Sequence, residues 1–180
     1  MSANSKLGNS HLLSMAIDKP KILLALARKI SAENPEFQTV LGPGDGNRAT
    51  SDFLKRLQNL SRETFGDDFS EKKICGDTAQ AVDFYFPDEA TIVEVALGLP
   101  NPASEFEKDI LKAFMARECN HCVNNLLFIS RPGADRKCQQ PGRAAIMKWA
   151  REKHNLLIEV QELAGIPRPR PRRSRINNST

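Results

Sequence analysis

The stretch Ala81-Val82-Asp83-Phe84-Tyr85-Phe86, Pro87-Asp88-Glu89-Ala90, Thr91-Ile92-Val93-Glu94-Val95-Ala96-Leu97 decides how this chain is read. It describes two β-branched and aromatic-rich strands joined by a tight turn, with one acid inside each strand. Centring the turn on Asp88-Glu89 pairs Phe86 with Thr91, Phe84 with Val93, and Asp83 with Glu94. Period-2 alternation then places Val82, Phe84 and Phe86 on one face with Val93, Val95 and Leu97. Asp83 and Glu94 share the opposite face with Tyr85, Ile92 and Ala96, a face too apolar to be simply hydrated. Like charges opposed across two strands repel. Two carboxylates held so close are expected to share a divalent cation or a proton.

Outward from this hairpin, helical spacing of Ile22, Leu23, Leu26 and Ile30 predicts a helix over about 20–32. The loop Gly42-Pro43-Gly44-Asp45-Gly46-Asn47 interrupts regular structure. Thr50 or Ser51 is the expected cap of a helix carried by Phe53, Leu57 and Leu60 and stopped near Gly66. A short strand is expected at Lys72–Cys75, turning at Gly76-Asp77. Beyond Gly98-Leu99-Pro100, Asn101 followed by Pro102 suits the start of a helix reaching about Glu118. Its expected inward stripe is Phe106, Ile110, Ala113 and Phe114, which turns Lys108 and Lys112 toward solvent. A strand over Asn125–Ser130, a helix over Gly142–Lys153 and a strand over Leu156–Val160 complete the order.

That order, with Asp83 in its second strand and Glu94-Val95-Ala96 in its third, resembles the PD-(D/E)XK nuclease superfamily, which includes many restriction endonucleases. The resemblance covers roughly 51–163. It implies an α/β restriction-endonuclease-like core of helix, three-stranded antiparallel meander, helix, strand, helix and strand. On this reading residues 1–48 form an N-terminal helix and Gly-rich loop, 49–163 the core, and 164–180 a disordered basic tail. The resemblance further implies Mg²⁺, or Mn²⁺ in its place, held by Asp83 and Glu94 with help from the Val95 carbonyl. The implied activity is endonucleolytic hydrolysis of DNA phosphodiesters, with RNA as the other substrate class and a homodimer as the implied assembly.

The family's third-strand lysine is replaced here by Ala96. Lys72 is the expected substitute, because a tight turn after it pairs it with Asp83; a register slip by one residue turns it away. Glu63, late in its helix, matches a further acid found in many members, and Glu107 is placed to border the site. Asp88 replaces Asp83 as ligand if the strands extend further. The loss of the lysine leaves a second reading: a descendant that kept the fold and acts as a nucleic-acid or protein binding module.

The other motifs exclude more than they suggest. Cys119-Asn120-His121-Cys122 lacks a second ligand pair for structural zinc, with Cys75 and Cys138 isolated. The glycine-rich loop lacks the Lys-Ser/Thr of a P-loop, and no Ser/His/Asp arrangement accompanies His11, His121 or His154.

The chain of 180 residues carries a net charge of +4. Arg168, Arg170, Arg172, Arg173 and Arg175 supply more than the whole of it, alternating with prolines in a composition that favours extended chain. Such a tail suits phosphate backbones. So do the loop residues Arg48, Arg131, Arg136, Lys137 and Arg143. No apolar run approaches a membrane span. The polar start, Met1–Ser10, and four cysteines without a secretory signal make a reducing cytoplasm the expected location.

Overall fold

The computed structural model describes residues 18–38, 45–101 and 105–165. Its elements run α1 (Lys19–Glu33), a 3-10 turn (Pro35–Gln38), α2 (Asp45–Phe65), β1 (Ser70–Lys72), β2 (Val82–Phe86), β3 (Thr91–Val95), α3 (Phe106–Glu118), β4 (Asn125–Ser130), α4 (Ala134–Cys138), α5 (Pro141–His154) and β5 (Leu157–Glu162). The five strands form one mixed sheet in chain order. The first three are antiparallel neighbours, and β4 and β5 add in parallel.

Strand chemistry accounts for the layering. In β4 successive side chains alternate between two apolar clusters: Leu126 and Phe128 enter one, Leu127 and Ile129 the other. A strand buried on both faces reads as a continuous apolar run, as Leu126–Ile129 does. One face is covered by α1 and α2, whose Leu23, Leu24, Ala27, Ile30, Phe53 and Leu57 pack on Phe84, Phe86, Val93, Val95 and Leu97. The other is covered by α3 and α5 through Phe106, Ile110, Ala113, Ala116 and Ala150, against Tyr85, Ile92 and Phe128. The result is a three-layer α/β arrangement. Val82, expected beside Phe84, joins the α3 side instead.

The hairpin register is as read from its sequence: Phe84 pairs with Val93 and Phe86 with Thr91. Other boundaries differ. Helix α2 begins at Asp45, so Thr50 and Ser51 lie inside it and not at its start. Gly46 is only the second residue of α2, and a helix of 21 residues with a strong apolar stripe absorbs a glycine penalty of at most about 1 kcal/mol. The expected boundary at 48/49 therefore falls within α2, and α1 shares a core with the sheet. Helix α3 starts at Phe106, preceded by Glu105 and not by Asn101, with Glu107 and Asp109 in its first turn; acids there suit the positive end of the helix. Pro102, the loop residues 42–44, Met1–Ser10, His11 and the arginines of the tail lie outside the described residues. No helix among the described residues is long and apolar enough to cross a membrane.

Candidate functional site

Asp83, one residue before Phe84, and Glu94, one residue after Val93, flank the Phe84–Val93 pair on the same side of the antiparallel hairpin, so its register alone brings them together. Asp83 Oδ2 accepts a 2.7 Å hydrogen bond from the Val95 backbone N–H, and the Asp83 N–H points at Glu94 Oε2 from 3.5 Å. Glu94 is 2% exposed. Val95 thus stands beside the pair, one strand position past Glu94.

The third member of the site is Lys112, which sequence periodicity turned toward solvent. Its side chain is buried and its Nζ lies 2.8 Å from both Glu94 Oε1 and Asp109 Oδ1. It also donates to the Ala81 carbonyl at 3.3 Å. The inward face of α3 is Phe106, Asp109, Ile110, Lys112, Ala113 and Ala116, with Phe114 only half-buried at its margin. Two alanines in that face let α3 approach the sheet closely enough for Lys112 to reach Glu94. Asp109 and Lys112, three residues apart, are neighbours on the helix. That spacing, together with Ala113 and Ala116, was the signal in the sequence.

Burial pushes all three carboxyls above their usual range. For Asp83 desolvation dominates, partly offset by the Val95 N–H and by Lys112. Glu94 is raised furthest, by burial first and then by the adjacent Asp83 and Asp109. Asp109 is raised by burial against the pull of Lys112. Burial opposes the charge on Lys112, but Glu94 and Asp109 outweigh it and hold its pKa above that of an ordinary lysine. Two buried acids, Glu94 and Asp109, therefore share one ammonium with the half-buried Asp83 beside them, a deficit of positive charge that a proton or a cation can fill.

The donor set is compatible with Mg²⁺, which typically takes one or two carboxylates and completes its shell with water and substrate phosphate oxygens. Glu94 Oε1 is taken up by the Lys112 ammonium at 2.8 Å, whereas Oε2, which only faces the Asp83 N–H from 3.5 Å, is the oxygen with coordinating capacity to spare. Among the described residues no three His, Cys, Asp or Glu side chains converge as a complete metal cage. Asp83 and Glu94 form a pair, with Asp109 reaching them only through Lys112.

The remaining expected residues stand elsewhere. Lys72 pairs with Val82, one position from Asp83, so the register that would have aimed it at the acids is not adopted. The segment 73–81 between the two strands is longer than the tight turn expected at Gly76–Ala79, which is why the register differs. Glu63 and Glu107 are both exposed. Asp88 lies at the hairpin turn and pairs with Lys19 at 2.9 Å. Arg143, expected at a loop surface, is buried in α5. It donates to the Leu99 and Asn101 carbonyls at 2.8 and 3.3 Å and lies over the Phe106 ring at 4.9 Å. It thereby ties the segment leaving β3 to the helix layer that carries Lys112. Arg131 donates to the Phe37 carbonyl, while Arg48 and Arg136 remain exposed. No family model, curated protein or solved structure matches the chain.

Proposed function

We propose that the chain is a metal-dependent nuclease of the PD-(D/E)XK type that hydrolyses phosphodiester bonds of DNA. The observation that carries this reading is the buried ammonium of Lys112 beside the Asp83–Glu94 pair. It supplies from α3 the positive charge that Ala96 cannot supply from β3. The mixed five-stranded sheet with helices on both faces supports this reading at the level of fold class. Fold resemblance alone would not carry activity; the site chemistry is what supports it.

Asp83 and Glu94 would hold the metal, with Val95 lending its carbonyl. A bound Mg²⁺ supplies Lewis acidity toward the scissile phosphate and lowers the pKa of the attacking water. The Val95 N–H fixes the Asp83 carboxylate, leaving its other oxygen to face the ligand. Lys112 offsets negative charge that grows on the phosphoryl oxygens in the transition state, an electrostatic role that a fixed ammonium in a buried site performs well. Asp109 positions that ammonium and keeps it charged. Arg48, Arg136 and the basic tail would contact the backbone, giving affinity without sequence information.

A second reading has its own observation. Lys112 is held by two carboxylates and a carbonyl, as in a structural ion pair, and this favours a nuclease-fold protein that binds without cleaving. Incubating supercoiled plasmid with the protein and Mg²⁺, beside a double Asp83→Asn, Glu94→Gln variant, separates the two. Nicking by the wild type that disappears in the variant supports the nuclease. Equal DNA binding by both proteins with no cleavage by either assigns the binding module.

A further inference from the structure

Helix α1 packs over β2, β3 and β4 but leaves β5 uncovered. On that face β4 presents Leu127 and Ile129, whereas their partners on β5 are Glu159 and Gln161. Polar side chains there give a helix nothing to rest on, and a cavity of about 580 Å³ lies between α1 and the strand. Its size is that of a small-molecule site. Pro20 and Leu24 on the helix and Leu127 on the sheet supply its apolar surface.

The two ends of the cavity differ in charge. At the start of α1, Glu89 Oε1 accepts from the Lys19 backbone N–H at 3.1 Å and from Lys19 Nζ at 3.3 Å. Glu89 Oε2 is shielded from solvent and accepts no hydrogen bond, although the side chain lines the cavity and keeps 18% exposure. Beside it Asn125 Nδ2 donates to the Glu89 carbonyl and to Thr91 Oγ1, which leaves Asn125 Oδ1 as a second acceptor. At the other end Arg28 donates to the neutral Gln161 Oε1 at 3.2 Å, and no carboxylate among the described residues pairs with it. The remaining charges answer one another: Lys21 is bridged to Asp18 at 2.6 Å and is also drawn on by Glu159 at the rim. A simply hydrated groove would let water reach every polar atom. A carboxylate oxygen shielded without a partner costs stability until a donor meets it.

Lys19, whose N–H marks the Glu89 end, and Arg28 are separated by ~13 Å along the helix. Both side chains reach toward the middle, so a ligand with charged ends roughly 7–10 Å apart fits, the span of two or three extended residues. We infer that this cavity binds a short peptide with free termini. Its amino group meets Glu89 and Asn125, its carboxylate meets the Arg28 fork, and its apolar side chain lies on Leu24 and Leu127. Arginine pairs carboxylates bidentately, and capture of peptide termini by fixed polar groups is a recurring mode of recognition. A free amino acid is too short to reach both ends, and a diamine would set a like charge against Arg28. The cavity opens where β3 and β4 begin, on the α1 side, whereas Glu94 faces α3. This inference is therefore independent of the catalytic reading.

Calorimetric titration of the full chain with the tripeptide Ala-Leu-Ala, in chelator, tests it. Expected is a dissociation constant below ~1 mM. Acetylating the peptide's amino group raises it about tenfold, and so does amidating its carboxylate, the scale of one charge-assisted hydrogen bond. In Glu89→Gln acetylation no longer matters while amidation still does, and in Arg28→Met the reverse holds. A variant that has merely lost structure cannot give that crossed pattern. No binding up to ~10 mM peptide, equal affinity for free and blocked peptides, or loss of every peptide form alike in both variants overturns the proposal. Binding of putrescine without binding of the peptide also overturns it and assigns the cavity to amines.

Discussion

Replacing Lys112 by methionine keeps most of the side-chain volume and removes the ammonium between Glu94 and Asp109. Both partners are nearly inaccessible, with side-chain exposures of 8% and 3% for Lys112 and Glu94, so the carboxylates left behind cannot be rehydrated without opening the α3–sheet contact. Breaking a buried pair in this way costs about 3–5 kcal/mol. A carboxylate can escape by taking up a proton. For glutamic acid with an ordinary pKa of 4.5, protonation at pH 7 costs about 3.4 kcal/mol, and each pH unit lower reduces that by about 1.4 kcal/mol. Asp109, with an ordinary value of 3.8, still costs about 1.6 kcal/mol to protonate at pH 5, so the penalty of Lys112→Met is expected at about 3–5 kcal/mol at pH 7 and about 2 kcal/mol at pH 5. Urea unfolding followed by circular dichroism at both pH values measures it, with chelator present. Adding both Glu94→Gln and Asp109→Asn to the variant should recover much of the loss at pH 7, since removing the ammonium and its two carboxylate partners leaves no orphaned charge. A penalty under about 1 kcal/mol at pH 7, or one of the same size at pH 5, would refute the reasoning that Lys112 is the buried counter-ion of this cluster.

Other expectations follow from the same geometry. Because Glu94 and Asp109 titrate above their ordinary values of 4.5 and 3.8, the folded chain binds more protons than the unfolded chain above that range. Their contribution to stability is accordingly largest in acid and falls as pH rises through the folded-state values. Glu94→Gln should flatten this slope in metal-free protein, and an unchanged pH profile of thermal midpoints would count against it. Arg143→Ala strips the buried Leu99 carbonyl of a donor and loses the partly buried bond to the Asn101 carbonyl, and is expected to cost roughly 2 kcal/mol in urea unfolding; a loss below roughly 1 kcal/mol would show that the segment after β3 holds without it. Ala90 occupies a left-handed conformation at φ 47°, so Ala90→Gly should gain about 0.5–1 kcal/mol, seen as a thermal midpoint a few degrees higher. A lower midpoint would place the strain elsewhere.

The hairpin was legible because its two signals agree. Alternation across Val82–Phe86 and Thr91–Val95 and the turn chemistry of Pro87–Ala90 specify one register, and that register is present. It carries Asp83 and Glu94 together without reference to any other element. Strand β4 was equally plain, its apolar run matching burial on both faces. Lys112 was hidden by a different balance. A helix wheel weighted by large side chains points toward Phe114, whereas the helix settles on its small residues, Ala113 and Ala116, rotating the charged Asp109 and Lys112 inward. Periodicity alone cannot register an ion pair that compensates its own burial. Lys72 failed for a local reason: β1 ends at Lys72 and the loop that follows is long, so nothing in the turn holds Lys72 opposite Asp83. Arg143 was invisible for a third reason, since its partners are backbone carbonyls more than forty residues away.

The central claim is that Asp83, Glu94 and Lys112 together form a nuclease site, and the most direct test is the rate of supercoiled-plasmid nicking at saturating Mg²⁺. Nicking is expected of the wild type and not of Glu94→Gln, with a loss of ~100-fold or more in Lys112→Ala, the scale seen when a preorganised electrostatic group is removed. The loss in Lys112→Ala should persist at pH 5, where the folding penalty is smaller. A wild type that leaves the plasmid intact, or a Lys112→Ala variant that nicks at the wild-type rate, would contradict it.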